Sequence, residues 1–266
     1  MTVPGQPSAA RPGPAARPAA RPAPGAWWSP LYAPARPRGR VLLFPHSGGG
    51  PHALLPLAAA LGEEAEVLGL TLPGRDHRFA EPPASRVAGV LGSVEREVLP
   101  LPPLPTAFFG CSLGALLAVH VAARFPGLPA GLVLAAQSPG SRRRWVDEAE
   151  TEEELLRVFD LAGGLPPAVL GDPETRAGLL ARLRADLRLG AEAGRDFGRL
   201  RAACPLTVFG GRLDPLVPVD CLPGWAAQTG AECRVVPLEG GHFAFLAPEN
   251  RPRVAAALLA ALRAGD

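Results

Sequence analysis

Ser112 stands at the centre of the pentapeptide GCSLG, residues 110–114, which fits the pattern G-x-S-x-G. A short apolar run, 106–109, precedes it, and a run of good helix formers, 115–124, follows at once. In this strand–turn–helix context the serine lies on a strained turn with its hydroxyl exposed, and the flanking glycines let strand and helix pass closely. The pattern therefore predicts a nucleophile, although an ordinary glycine-bracketed turn gives the same letters.

A serine nucleophile needs a general base, which in this arrangement follows the serine and an acidic residue along the chain. Of the five histidines, His120 and His242 come after Ser112, and only His242 has an acidic residue between the serine and itself. It stands in the run GGHF on a loop that follows the β-rich stretch 232–238. His242 is the predicted base, and a surface loop histidine is the alternative interpretation.

The acidic partner is predicted to be Asp214, which follows the apolar run 205–210 at the expected end of a strand. Asp220, in the same loop region, is the fallback. An aspartate before proline is also a common turn residue, and that remains the alternative interpretation of Asp214.

These residues together would perform acyl transfer. Ser112 would attack a carbonyl carbon, His242 would take and return the proton, and Asp214 would hold the imidazole in one tautomer. The oxyanion would need two N–H donors, which we predict to be the backbone groups of Leu113 and Ser47.

Ser47 belongs to a glycine-rich loop, His46 to Gly50, that follows the apolar strand 41–45. Three consecutive glycines could also cradle a phosphate, but no G-K-[ST] follows, so a nucleotide site is disfavoured. His46 is close enough to the predicted site to suggest catalysis, and a role in ordering the loop is the preferred interpretation.

The remaining pattern predicts the elements that would position these residues. Strands alternating with helices favour an α/β fold with a mainly parallel sheet, helices on both faces and a site at the carboxyl ends of the strands. Strands are expected near 40–45, 66–71, 105–109, 130–136, 205–210 and 232–238, and helices near 51–61, 85–98, 113–125 and 249–263.

One segment, about 140–203, breaks the alternation because it contains no good strand. Thr151 opens a helix in capping-box style, and Asp172 opens a second helix with leucines at helical spacing. We predict a helical lid over Ser112, while ordinary amphipathic core is the alternative. The basic run Arg142, Arg143 and Arg144 within it would face either an acidic partner helix or solvent.

Length and composition limit the domain organisation, the class of partner and the location that can be expected. The 266 residues, with a net charge of +2, suit one domain and give no case for nucleic-acid binding. Residues 1–26 are a Pro/Ala/Arg-rich tail expected to be disordered, and residues 27–266 are expected to form the domain. The tail lacks the apolar region of a signal peptide, no run is long enough to span a membrane, and the four cysteines lack metal-binding spacing, so a cytoplasmic location without metal is expected.

Five motifs taken together resemble those of the type II thioesterases of polyketide and nonribosomal peptide biosynthesis. The resemblance covers about residues 27–263, and it rests on FPHSGG at 44–49, LPGR at 72–75, GCSLG at 110–114, GGRLD at 210–214 and GGHF at 240–243.

The resemblance implies an α/β-hydrolase fold and hydrolysis of acyl groups from the phosphopantetheine arm of acyl or peptidyl carrier proteins, by a monomer without cofactor. A small-molecule ester or lactone hydrolase and a catalytically silent binding module remain alternatives. Two features depart from the family. Cys111 replaces a usual histidine, with packing expected to change rather than chemistry, and residues 76–78 alter the LPGR loop, which leaves acyl or pantetheine contacts there open.

Overall fold

The computed structural model describes residues 22–139, 149–164 and 171–264. In these residues the strands form one seven-stranded sheet, in the order β1-β3-β2-β4-β5-β6-β7. The strands are β1 (Trp28–Tyr32), β2 (Gly39–Phe44), β3 (Ala65–Leu70), β4 (Thr106–Cys111), β5 (Gly131–Ala135), β6 (Leu206–Gly211) and β7 (Cys233–Leu238).

All strand pairs are parallel except the edge pair, in which β1 runs antiparallel to β3. The six expected strands and the mainly parallel sheet are therefore confirmed. The pattern missed β1, a five-residue strand that contains Pro30. Proline is tolerated there because edge strands leave one row of backbone groups unpaired.

Helices connect most of the strands. They are α1 (Leu55–Ala60), α2 (Val87–Ser93), α3 (Leu113–Arg124), α4 (Glu152–Ala162), α5 (Pro173–Gly194) and α6 (Arg251–Arg263). A π-helical turn, Val94–Val98, extends α2, and short 3-10 helices lie at Pro51–Leu54, Gly62–Glu64, Asp76–Arg78, Phe197–Arg199, Val219–Gln228 and Ala244–Leu246.

Alternate side chains of the central strands enter two separate cores. In β4, Phe108 packs with α2 and α3 on one face, whereas Phe109 packs with α1 and α6 on the other. Both rings are fully buried. The period of two along a strand thus covers the sheet with helices on both faces, as expected for strands that are apolar throughout.

The chain leaves β2 towards β3 on one side and returns to β4 on the other. This reversal opens a crevice at the carboxyl ends of β2 and β4, the position at which open α/β sheets bind ligands. The loop that contains Ser47 follows β2, and Ser112 follows β4. Both predicted functional segments therefore lie at the switch point of the sheet.

Two helices, α4 and α5, are inserted between β5 and β6, and we call them the insertion helices. Thr151 caps α4 in a full capping box with Glu154, and the Asp172 carboxylate accepts from the Thr175 N–H at the start of α5. The helices share a third hydrophobic cluster, whose buried members are Ala149, Leu155, Val158, Leu180, Leu183 and Leu187.

Several features predicted from sequence lie outside the described residues, namely the tail up to residue 21 and the basic run Arg142, Arg143 and Arg144. Across the residues that are described, no helix combines the length and the apolar character needed to cross a bilayer.

Candidate active site

Ser112 occupies the turn between β4 and α3 with φ 53° and ψ −122°. Positive φ is strained for a residue with a side chain, and such strain is held in place only by its surroundings. An added Cβ at Gly110 would strike the Gly114 carbonyl, and one at Gly114 would strike the Phe44 carbonyl. The two glycines therefore permit both the sharp turn and the close approach of α3 to the end of β2.

Leu113 is the first residue of α3, so its N–H is among those that have no acceptor within the helix. The N–H of Ser112 donates to the Ala135 carbonyl over 2.9 Å, which fixes the turn against β5. The positive end of the helix dipole then lies beside the serine, where negative charge is stabilised.

His242 and Asp214 form a buried pair. His242 Nδ1 lies 2.8 Å from Asp214 Oδ2, and the two side chains are 4% and 0% exposed. The other carboxylate oxygen of Asp214 accepts from the N–H groups of Leu216, at 2.8 Å, and Val217, at 3.1 Å. The backbone thus orients the carboxylate, and the carboxylate orients the imidazole through Nδ1, so that Nε2 is the ring nitrogen without a hydrogen bond among the described residues.

The loop that carries His242 is held by Asn250, which the sequence analysis missed. The buried Asn250 amide donates to the Glu239 and Ala244 carbonyls, each over 2.9 Å, on either side of the histidine. Asp220, the fallback acid, is exposed in the 3-10 helix Val219–Gln228. Asp214 rather than Asp220 therefore contacts the imidazole.

A cavity of about 170 Å³ brings the predicted residues together, since Ser47, Ser112 and His242 all lie in its wall. Most of the remaining wall is apolar and comes from the insertion helices. Their contribution is Val158, Phe159, Ala162, Leu183 and Leu187. The insertion leucines thus both pack with one another and shape the space beside Ser112.

His46 also borders the cavity, and its contacts are those of a loop-ordering residue. Its Nδ1 lies 3.0 Å from the Ser47 carbonyl, and its ring packs on Phe243 with centroids 4.8 Å apart. Burial lowers the pKa of His46 below its ordinary value of 6.5, opposed by the hydrogen bond to Ser47. The ring is therefore held neutral at neutral pH, with Nδ1 donating to the carbonyl.

Cys111, beside the predicted nucleophile, is fully buried in the core on the α1 and α6 face of the sheet. Its Sγ lies 3.8 Å from the Phe44 carbonyl, and burial raises the pKa of its thiol. A neutral thiol in the core is a poor nucleophile, so Cys111 contributes packing.

A second buried ion pair joins α5 to the loop after β3 and also binds the loop after β2, and the sequence analysis did not find it. Arg75, from the LPGR loop, donates to both oxygens of Asp186 on α5, each over 2.8 Å. The same guanidinium donates to the Gly49 carbonyl at 2.6 Å, and Asp186 accepts from the Gly48 N–H at 2.7 Å. The Arg75 side chain thus turns towards α5 rather than into the cavity.

Metal chemistry has no evident site in the described parts of the chain, where no group of three His, Cys, Asp or Glu residues is arranged to hold an ion. None of the four cysteines forms a disulfide among the described residues. The arrangement that remains is a hydroxyl and an imidazole in the wall of an apolar cavity, with a buried carboxylate on the imidazole, which suits nucleophilic attack on a carbonyl carbon.

The sheet, its helices and the sharp turn at Ser112 define an α/β-hydrolase fold. A family model described as a thioesterase domain matches residues 39–262, so the chain belongs to the thioesterase domain family. The chain is similar to the borrelidin type II thioesterase BorB, with a TM-score of 0.76 and 29% identity, covering 91% of this chain and 100% of that one.

Sequence comparison gives relatives of the same kind. A probable cadicidin biosynthesis thioesterase of Streptomyces griseus is 33% identical over 81% of this chain, which spans 61% of that relative's length. The gramicidin S biosynthesis protein GrsT of Aneurinibacillus migulanus is 32% identical over 77% of this chain and 82% of the relative.

Proposed function

We propose that this chain is a thioesterase that removes acyl groups from the phosphopantetheine arm of acyl or peptidyl carrier proteins, through an acyl-enzyme at Ser112. In this role it would clear stalled or misprimed synthases. Membership in the thioesterase domain family and the biosynthetic names of the relatives support the substrate class.

The observation that carries the proposal is the buried His242–Asp214 pair, whose histidine lines the same cavity as Ser112. Two backbone N–H groups hold the Asp214 carboxylate in place, and from that position it would orient the imidazole and stabilise the imidazolium that forms during catalysis. A binding module without activity would not need a buried carboxylate paired with a histidine of its cavity wall.

In the first half-reaction, His242 removes the proton of Ser112 as its oxygen attacks the thioester carbonyl. Negative charge develops on the carbonyl oxygen, and the N–H groups of Ser47 and Leu113 would stabilise it. The intermediate collapses by expelling the pantetheine thiol, with His242 returning the proton. The acyl group is left on Ser112 with its chain in the apolar cavity.

In the second half-reaction, His242 activates a water molecule that attacks the acyl-serine ester. The same oxyanion donors serve again, and Ser112 leaves with the proton from His242. Asp214 stabilises the imidazolium in both halves. No step requires a cofactor.

The proposal extends to organisation and location. Residues 27–266 would form the hydrolase domain, residues 1–26 a disordered tail, and the segment 140–203 a lid. We propose a monomer that acts in the cytoplasm, where cysteines without disulfides are the norm.

A direct comparison of substrates tests the proposal. Acyl-phosphopantetheinyl carrier protein, acyl-CoA, an acyl-N-acetylcysteamine thioester and a simple ester of the same acyl group would be hydrolysed by the wild type and by Ser112→Ala. We expect the carrier substrate to have the highest kcat/KM and Ser112→Ala to abolish turnover of all four. A simple ester that outperforms the carrier substrate by orders of magnitude would favour the ester or lactone hydrolase instead.

A further inference from the structure

The peptide between Ser47 and Gly48 is held from both sides. Its carbonyl lies 3.0 Å from His46 Nδ1, and its N–H donates to Asp186 over 2.7 Å. The carbonyl of Gly49 is held in turn by Arg75. Because neighbouring peptide planes share a Cα, fixing this peptide also limits the direction of the Ser47 N–H.

We propose that Arg75 and Asp186 are positioning residues for the oxyanion hole. The ion pair holds the loop after β2 so that the Ser47 N–H points at the substrate oxygen. This inference rests on the proposed function, in which that N–H is one of two oxyanion donors. Neither side chain touches the substrate, so each acts through the backbone of the loop.

Stability alone accounts poorly for this pair. The two side chains are 5% and 3% exposed, and desolvation cancels most of the attraction in a buried ion pair. Moreover, the Nε of Arg75 is buried without an acceptor among the described residues. Apolar residues could fill the same space, but they could not bind the Gly48 N–H and the Gly49 carbonyl.

Both insertion helices lie against the loop after β2. A Cβ at Gly48, where φ is 76°, would lie 3.2 Å from the Phe159 ring of α4, and Asp186 of α5 binds the Gly48 N–H. Less than one turn before Asp186, Leu183 forms part of the cavity wall. The same two helices therefore line the cavity for the acyl chain and contact the loop that carries the oxyanion donor.

The deciding variant is Arg75→Met with Asp186→Leu, because apolar replacement of a whole buried pair is often neutral for stability. Arg78→Met is the matched control. Arg78 is an equally buried arginine three residues away that binds Glu81 and the Thr71 carbonyl. The measurements are the thermal midpoint, kcat and KM on an acyl-N-acetylcysteamine thioester, and the rate of Ser112 labelling by a fluorophosphonate.

We expect the double variant to keep a midpoint near that of the wild type while kcat and the labelling rate fall about 10- to 100-fold, less than on complete loss of an oxyanion donor. KM should change little, since the lost interaction acts in the transition state. Asp186→Asn, which keeps an oxygen for the Gly48 N–H, should retain more activity than Asp186→Leu, and Arg78→Met should react like the wild type.

Wild-type rates in the folded double variant would overturn the inference. If that variant does not fold, Arg75→Lys and Asp186→Asn decide, and an unchanged kcat in both overturns it equally. The wild type could also be labelled by the fluorophosphonate faster than the double variant and yet hydrolyse no thioester. That result would contradict the proposed function and leave this inference standing. Thioester hydrolysis at equal rates in all variants would contradict the inference alone.

Discussion

Asp214 holds His242 through one carboxylate oxygen, at 2.8 Å, while two backbone N–H groups hold its other oxygen. The backbone of Leu216 and Val217 thus sets the orientation of the imidazole, and it does so through the Asp214 side chain alone. A substitution that keeps the shape of the Asp214 side chain but removes its charge can therefore test the two contributions separately.

Asp214→Asn preserves the shape of the side chain and removes its charge. An amide at this position favours the wrong imidazole tautomer and no longer stabilises the imidazolium, so we expect kcat to fall by about 10³- to 10⁴-fold. Thioester hydrolysis followed by thiol release measures the effect. Asp220→Asn, an exposed acid of the same loop region, is the control and should retain wild-type activity; equal losses in both variants would remove Asp214 from the mechanism.

A burst of free thiol should precede steady turnover of thioesters. The pKa of a thiol leaving group, about 8.5, is far below that of an alcohol, so its expulsion needs little general-acid help and acylation is fast. Hydrolysis of the acyl-serine ester then limits the rate. Rapid mixing with a thiol reagent should show a burst close to one equivalent of enzyme, and linear release from the first turnover contradicts this order of steps.

Gly114→Ala should destabilise the protein by about 1–3 kcal/mol or more, because overpacking forces backbone to shift. The added Cβ would strike the Phe44 carbonyl, which lies on neighbouring backbone that cannot rotate away. Urea unfolding measures the change. Gly178→Ala is the control within α5, where nothing closer than the Arg182 side chain at 3.6 Å meets the Cβ, and there alanine should stabilise by about 0.5–1 kcal/mol.

Phe159→Ala should shift the acyl preference towards longer chains. The cavity of about 170 Å³ has room for about five to six water molecules, so a long chain fits only if its wall moves. A series of acyl-N-acetylcysteamine thioesters of increasing length measures the preference through kcat/KM. Leu156→Ala, a partly buried residue of the same helix outside the cavity wall, is the control and should keep the wild-type profile. Parallel shifts in both variants would point to loosening of α4 instead.

Acid should weaken the protein partly through His46. Burial lowers the pKa of the folded-state imidazole below 6.5, so the neutral ring contributes its full stability above that pH and loses it as the pH falls through the lowered pKa. His46→Gln removes the titration and keeps a donor for the Ser47 carbonyl. Thermal midpoints at pH 7.5 and 5.5 should therefore differ less in this variant than in the wild type; equal differences would exclude His46 as a contributor.

The sequence was most informative where function and local pattern coincide. Ser112, Asp214 and His242 each follow a strand, and a strand end can be located from an apolar run and the turn residues after it. The start of α4 was equally accessible, since a capping box lies within four residues.

Features that depend on distant residues were not accessible. Arg75 and Asp186 are 111 residues apart, and nothing in either neighbourhood indicates that the two side chains meet. The strand β1 was missed for a related reason. It is short, it contains Pro30, and it is defined by antiparallel pairing with β3 some 40 residues away rather than by its own alternation.

The third hydrophobic cluster gives the insertion helices a core of their own, apart from the two cores of the sheet. A segment with its own core can be exchanged as a module. Grafting the segment between β5 and β6 from a relative should transfer acyl preference while Ser112 and His242 stay in place, provided that an aspartate remains to receive Arg75. Relatives with this fold could then differ in the acyl groups they accept while keeping the same catalytic residues.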